Sequence, residues 1–305
     1  MLLDRAIKQL HHQMNNLIKG RIFLVGCPRS GTTLLQSLVS NHSDIASFPE
    51  SKFYQRLVSS DNKIEMFKAT GKRAKETTSL FFQLIENEKL LDLFPKRPSF
   101  CLEYSMTFVK ALDFLAIQRD CSYWLEKTPA HLHRIELIKS FVPQVKFIHI
   151  IRNPIDVIAS LYEVNLKYPE IWWQSANVIQ CLERWLDDVE ITKFYAEQYH
   201  QHHIIFYEEL IQDSNFHIKR ICNFLEIEFQ PKMLSPNADS IDNIIRKDEL
   251  WKNKSDKIIN KKGHEKFDRI FCKEQQMKIC QSLSTIDFSF FPENYQESIN
   301  TYLKI

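Results

Sequence analysis

Residues 21–40 read RIFLVGCPRSGTTLLQSLVS: a short strand-like run, a loop bounded by Gly26 and Gly31, and a segment placing Leu34, Leu35, Leu38 and Val39 at helical spacing. This strand, glycine loop and helix together form the architecture of a phosphate cradle. A loop that opens a helix turns unpaired backbone N–H groups toward one point, and the helix dipole adds partial positive charge there. The chain has only five glycines, so two at the ends of one loop signal a backbone requirement. Thr32 and Thr33 add hydroxyl donors. The spacing G-x-x-x-x-G matches the nucleotide P-loop, but Thr32 stands where that motif carries lysine, which disfavours an ordinary ATPase or kinase. A glycine-bearing turn with a threonine N-cap is the plain alternative.

A second segment, KFIHIIRNPIDVIASLY at 146–162, has an apolar strand ending at Arg152. Asn153 is placed to cap the next helix, Pro154 suits its first position, and Asp156 falls in its first turn. Arg152 is thereby held at the carboxyl end of a strand, where open α/β sheets bind ligands. Ser160 follows two turns along the helix and offers a hydroxyl to the same anion. Taken alone, Arg152 also fits a solvated surface charge and Ser160 a helix filler.

Further short strands are expected at 44–48, 123–125, 146–151 and 203–207, with helices between them and a mostly helical insertion at about 53–120. Trp172–His200 reads as one helix with Val178, Leu182, Trp185 and Val189 on a stripe. Alternation of strands and helices implies an α/β fold, a P-loop-type, mainly parallel sheet flanked by helices. No repeat or linker interrupts residues 1–305, so a single domain is expected, with a basic segment at about 236–270. Lys plus Arg total 40 against 38 Asp plus Glu, too balanced for a surface that embraces nucleic acid. The seven cysteines are scattered singly without metal or redox spacing, which implies reduced thiols. The first twenty residues hold Asp4, Arg5 and Lys8 and no apolar run long enough for a signal-peptide core or a membrane span. A cytoplasmic protein is the expectation.

Together the two segments resemble the sulfotransferase family, whose members use 3′-phosphoadenosine 5′-phosphosulfate (PAPS) and release adenosine 3′,5′-bisphosphate (PAP). PRSGTT is similar to the family's 5′-phosphosulfate loop, and RNPIDVIAS to its 3′-phosphate site, with Arg152 and Ser160 eight residues apart. The likeness extends to Phe206-Tyr-Glu-Glu-Leu210 and covers roughly residues 20–230. It implies the family's fold and sulfuryl transfer to a hydroxyl, with no metal required. Arg29, Ser30, Gly31, Thr32 and Thr33 would then hold the cofactor at its 5′ side.

Arg29 follows the branch of tyrosylprotein and many bacterial sulfotransferases, where phenol and steroid enzymes carry lysine. The Lys-x-His element of those enzymes is replaced by Leu125-Glu-Lys-Thr-Pro129, which removes their histidine base. The resemblance implies that Glu50, 21 residues after Arg29, takes the acceptor's proton. Lys127 and Arg29 would neutralise charge on the leaving phosphate, and Tyr207, ending the HIIFY strand, would approach the adenosine side. His131 and His133, near Leu132 and Ile135, are expected at the surface or in helix packing. Lys266 is preferred over Lys261 and Lys262 as the C-terminal contact to the cofactor phosphate.

Two rival readings are an ATP-dependent phosphotransferase and a non-catalytic nucleotide-binding protein. The absent loop lysine and the Arg152/Ser160 pair weigh against the first, and Glu50 with Lys127 against the second. The acceptor stays open among small-molecule, carbohydrate, lipid and peptide hydroxyls. The 53–120 insertion and the aromatic stretch around Tyr168, Trp172 and Trp173 are expected to shape its pocket.

Overall fold

The run RIFLV with its flanking glycines forms β1 (Gly20–Gly26), every residue of which is buried. A computed structural model describes residues 17–58, 68, 70–96, 99–172, 177–235 and 264–303. Trp173, Lys261, Lys262, Gly263, most of the 236–270 basic segment and the first sixteen residues lie outside that description.

After β1 come α1 (Thr32–Ser40), β2 (Ile45–Phe48), α2 (Phe53–Leu57), α3 (Lys72–Leu84) and α4 (Cys101–Ile117). Then β3 (Tyr123–Lys127), α5 (Ile135–Phe141), β4 (Val145–Ile151), α6 (Pro154–Lys167), α7 (Pro169–Trp172) and α8 (Val178–Gln198) follow. The chain continues through β5 (His202–Phe206), α9 (Tyr207–Gln212), α10 (Ser214–Leu225), α11 (Glu265–Ile270), α12 (Lys273–Leu283) and α13 (Glu293–Leu303). Among the described residues five strands make one sheet in the order β2-β3-β1-β4-β5. All four pairings are parallel, with Phe23 opposite Glu126 on one side and Phe147 on the other. Strand order changes direction at β1, the place where open parallel sheets gather ligands at their carboxyl ends.

Alternation along the strands divides the core. Phe23, Trp124 and Phe147 pack with Phe53, Phe81 and Phe108 of the 53–117 helices, while Ile22, Leu125 and Ile148 face α1 and α10. A third cluster around Ile155 and Trp185 recruits Phe267, Ile279 and Tyr295 from the C-terminal helices. Arg21, buried in β1, makes a bidentate pair with Asp113 of α4 at 2.9 and 2.6 Å, and Trp124 Nε1 donates to the same carboxylate at 2.7 Å.

Several boundaries differ from the sequence expectation, three of them with a physical reason that bears on the site. β3 runs past Leu125 to Lys127, because Glu126 and Lys127 find buried partners and need not leave the strand. The long helix begins at Val178, capped by Asn177 accepting from Gln180 N at 2.9 Å, while Trp172 closes the separate α7. Tyr207 opens α9 instead of ending β5. The seven cysteines are free thiols. Among the described residues no helix is long and apolar enough to cross a membrane.

Candidate active site

Gly26 and Gly31 both take positive φ, 146° and 94°. A Cβ at Gly26 would sit 2.5 Å from Ile150 O, and one at Gly31 would enter the Tyr207 ring. The loop is therefore pressed between β4 and the start of α9, and only glycine fits at either end. Gly31, not a threonine, is the N-cap of α1, and it makes no side-chain capping bond. Thr32 and Thr33 stand in the first turn, whose N–H groups have no intrahelical acceptor. Arg29 also has positive φ, 74°, an unusual conformation for a side-chain-bearing residue. Ser30 is fully buried and its hydroxyl has no protein partner.

Arg152 follows β4 as expected, and Asn153 caps α6 by accepting from Ile155 N at 3.1 Å. The guanidinium lies 4.4 Å from the centre of the Tyr207 ring and donates to Asp156 Oδ2 at 3.4 Å and Arg29 O at 3.5 Å. Its Nε is buried without an acceptor. Burial works against the Arg152 charge, but Asp156, Tyr207 and Glu208 outweigh it and hold its pKa above the ordinary value. Ser160 Oγ accepts from Arg29 Nε at 3.0 Å and Lys266 Nζ at 3.4 Å, so the loop, α6 and α11 converge on one hydroxyl. Lys266 also pairs with Glu163 at 3.0 Å.

Glu50 and Lys127 meet at the carboxyl ends of β2 and β3, with Lys127 Nζ donating to Glu50 Oε1 at 2.5 Å. Lys127 is wholly buried and Glu50 8% exposed. A desolvated ion pair of this kind leaves an uncompensated charge if either partner is removed.

Sequence reasoning missed the network beneath that pair. Glu126, fully buried, accepts at Oε1 from Ser51 N at 3.0 Å, Ser51 Oγ at 2.7 Å and Thr128 Oγ1 at 2.6 Å. Thr128 Oγ1 accepts from Lys52 N, Ser51 Oγ from Phe53 N, and His131 Nε2 from Tyr54 N, each at 3.1 Å. Four consecutive N–H groups, from Ser51 to Tyr54, are thus met by side chains, and those of Lys52, Phe53 and Tyr54 are donors that the start of α2 otherwise leaves unpaired. Since Nε2 accepts, His131 carries its hydrogen on Nδ1 and donates it to Glu126 Oε2 at 2.9 Å. Burial pushes the Glu126 carboxyl up, but His131 and the bonds from Thr128 and Ser51 prevail and hold it below the usual range. His131 is therefore a buried anchor and not a surface residue, because the 3-10 turn Pro129–Arg134 carries it inward. His133 is half exposed and bonds Asp188 at 2.6 Å.

Two buried donors of this region, Ser30 Oγ and Arg152 Nε, have no hydrogen-bond partner among the described residues. Both lie where the loop meets the start of α6. Buried donors of this kind are costly to leave unmet, so a ligand that accepts from them is favoured here.

A family model described as the sulfotransferase family matches residues 21–231. Over 215 residues the chain is 22% identical to a protein-tyrosine sulfotransferase of Drosophila melanogaster, covering 70% of this chain and 39% of that protein. It spans between 30% and 51% of the length of three curated relatives it matches. The sulfotransferase domain of the Synechococcus PCC 7002 olefin synthase shares the fold, with a TM-score of 0.58 at 18% identity over 90% of this chain and 96% of that one. A mouse sulfotransferase solved in complex with PAP gives a TM-score of 0.52 at 18% identity, covering 93% and 88%.

Proposed function

The chain belongs to the sulfotransferase family, and from that membership we propose that it transfers a sulfuryl group from PAPS to a hydroxyl acceptor. Bound PAPS supplies the sulfuryl group already activated on a good leaving phosphate. The observation that carries this reading is the pair of buried, partnerless donors, Ser30 Oγ in the loop and Arg152 Nε, whose guanidinium also donates to Arg29 O next to Ser30. Ser30, Gly31, Thr32 and Thr33 present the α1 amides and hydroxyls to the 5′ side. Arg152, Ser160 and Lys266 receive the 3′-phosphate, and Tyr207 braces both regions by packing on Gly31 and beneath Arg152.

Glu50 accepts the proton of the acceptor hydroxyl, a role that suits a carboxylate largely screened from water. Lys127 holds Glu50 in place, and with Arg29 it compensates negative charge that builds on the departing phosphate oxygen. The fly and nematode relatives are named protein-tyrosine sulfotransferases, which supports the phenol of a tyrosyl peptide as the acceptor.

The test is incubation of the purified protein with sulfur-labelled PAPS and a panel of tyrosyl peptide, seryl peptide, oligosaccharide and hydroxylated lipid. Label on the tyrosyl peptide supports the full reading, and label only on another member reassigns the acceptor. PAP binding without transfer to any hydroxyl would overturn catalysis.

A further inference from the structure

The turn carrying Arg152 is held by three helices. Trp185 Nε1 of α8 donates to Arg152 O at 3.0 Å. Asn153 N donates to Glu208 Oε1 of α9 at 3.1 Å, and Asn153 Nδ2 to Ser298 Oγ of α13 at 3.3 Å. Tyr295, also on α13 and fully buried, donates to Glu208 Oε2 at 2.5 Å and lies 3.4 Å from Ile151 O. Two of these anchors, Tyr295 and Ser298, stand beyond residue 231, where the family match ends.

Arg152 is flanked by two carboxylates, Asp156 and Glu208. Any carboxylate that bonds the guanidinium competes with an incoming phosphate for the same donors. Asp156 does bond it, at 3.4 Å, although His264 Nδ1 shares that carboxylate at 3.1 Å. Glu208 makes its bonds elsewhere, with Oε1 on the Asn153 amide and Oε2 on the Tyr295 hydroxyl. Burial pushes the Glu208 carboxyl up, and the Tyr295 bond and Arg152 work against that rise. Without the hydroxyl, a buried carboxylate oxygen would lack its donor, and its attraction to Arg152 would draw it toward a guanidinium whose Nε has no acceptor.

We propose that Tyr295 is a positioning residue that keeps Glu208 off Arg152, so that the C-terminal helix sets the preference for 3′-phosphorylated over 3′-hydroxyl nucleotides. This rests on reading Arg152 as the 3′-phosphate ligand. The balance is electrostatic: Tyr295 leaves the Arg152 charge to the ligand by satisfying its rival.

Calorimetric titration of the full chain with PAP and with AMP tests it. Tyr295→Phe should lower PAP affinity about tenfold, the scale of one charge-assisted hydrogen bond, and leave AMP affinity within about twofold. Glu208→Gln added to Tyr295→Phe should restore the PAP-to-AMP ratio to within about threefold of the starting protein, because the competing charge is gone. A ratio unmoved by Tyr295→Phe, equal losses for both nucleotides, or no rescue in the double variant would overturn the proposal. Arg152→Ala separates the two readings. If it leaves the ratio intact, the 3′-phosphate assignment fails and takes the proposal with it; if it collapses the ratio while Tyr295→Phe does not, only the proposal fails. Should Tyr295→Phe not fold, Glu208→Gln alone decides: a ratio at or above the starting value supports it, and a fall overturns it.

Discussion

Arg29 Nε donates to Ser160 Oγ at 3.0 Å across 131 residues of chain. The loop that follows β1 and the helix that follows β4 are thereby in contact before any ligand is considered, so the two sides proposed to hold phosphate are joined directly. The Ser160 oxygen accepts from two cationic donors, which leaves its own hydrogen available for donation.

PAP should accordingly bind more tightly than AMP, by roughly ten- to a hundredfold for the charged hydrogen bonds that only a 3′-phosphate completes. Arg152→Ala should remove most of that margin. Calorimetry giving equal affinities for the two nucleotides in the unaltered protein would refute the 3′-phosphate site.

Ser30→Ala separates binding from stability. Its buried hydroxyl lacks a partner, a state costing about 1–3 kcal/mol, so the unliganded variant should melt at the same temperature or higher. PAP affinity should nevertheless fall. A lower melting temperature with unchanged PAP binding would mean that the hydroxyl serves the fold.

Glu50→Gln keeps the shape that Lys127 bonds but cannot take a proton at neutral pH. Single-turnover sulfuryl transfer to a tyrosyl peptide should slow by roughly 10²–10⁴-fold, with PAP affinity nearly constant. Both Glu50→Gln and Lys127→Met leave one buried charge of the pair uncompensated, and each should destabilise by about 3–5 kcal/mol. A near-normal rate for Glu50→Gln would remove it as the base.

His131→Ala leaves Tyr54 N and Glu126 Oε2 without their partner. Each unmet buried group costs about 1–3 kcal/mol, so urea midpoints should drop clearly, while Arg152 and Ser30 continue to bind PAP. Unchanged stability would contradict the anchoring role.

Acid should weaken the fold through histidines of β4 and β5. Burial, first of all, lowers His149 well below its ordinary range and brings His202 and His203 to about 4. Between pH 6.5 and 4 the unfolded chain therefore binds more protons than the folded one, and stability rises with pH across that window. It is fully present above 6.5 and declines as pH falls toward 4. Urea midpoints should track this, and His202→Gln should flatten the slope; an unaltered slope would assign the acid sensitivity to other groups.

The strand, loop and helix around Gly26 and Gly31 were legible because every signal in them is local. Arg152 was legible for the same reason, since Asn153 and Pro154 announce the helix start. Tyr207 was misplaced because the apolar run HIIFY does not say where pairing stops, and YEELIQ takes the tyrosine into a helix. Glu126 is not legible in the sequence, because Ser51, which donates to it twice, lies 75 positions away. The one local hint is two charges closing a strand whose other residues are apolar. Tyr295 gave no hint at all, as its bond to Glu208 spans 87 residues.

β2 and β3 are hydrogen-bonded neighbours although residues 49–122 run between them. The bonds from Ser51 to Glu126 and from Lys52 to Thr128 close the base of that excursion like a clasp. Loop-closure entropy grows only logarithmically, by about 0.6 kcal/mol per doubling of length. Between the clasp and β3 the chain can therefore lengthen, shorten or change surface over evolutionary time while Phe53, Phe81 and Phe108 keep it seated on the sheet. The Glu50–Lys127 pair, lying on the fixed side of the clasp, is insulated from that drift.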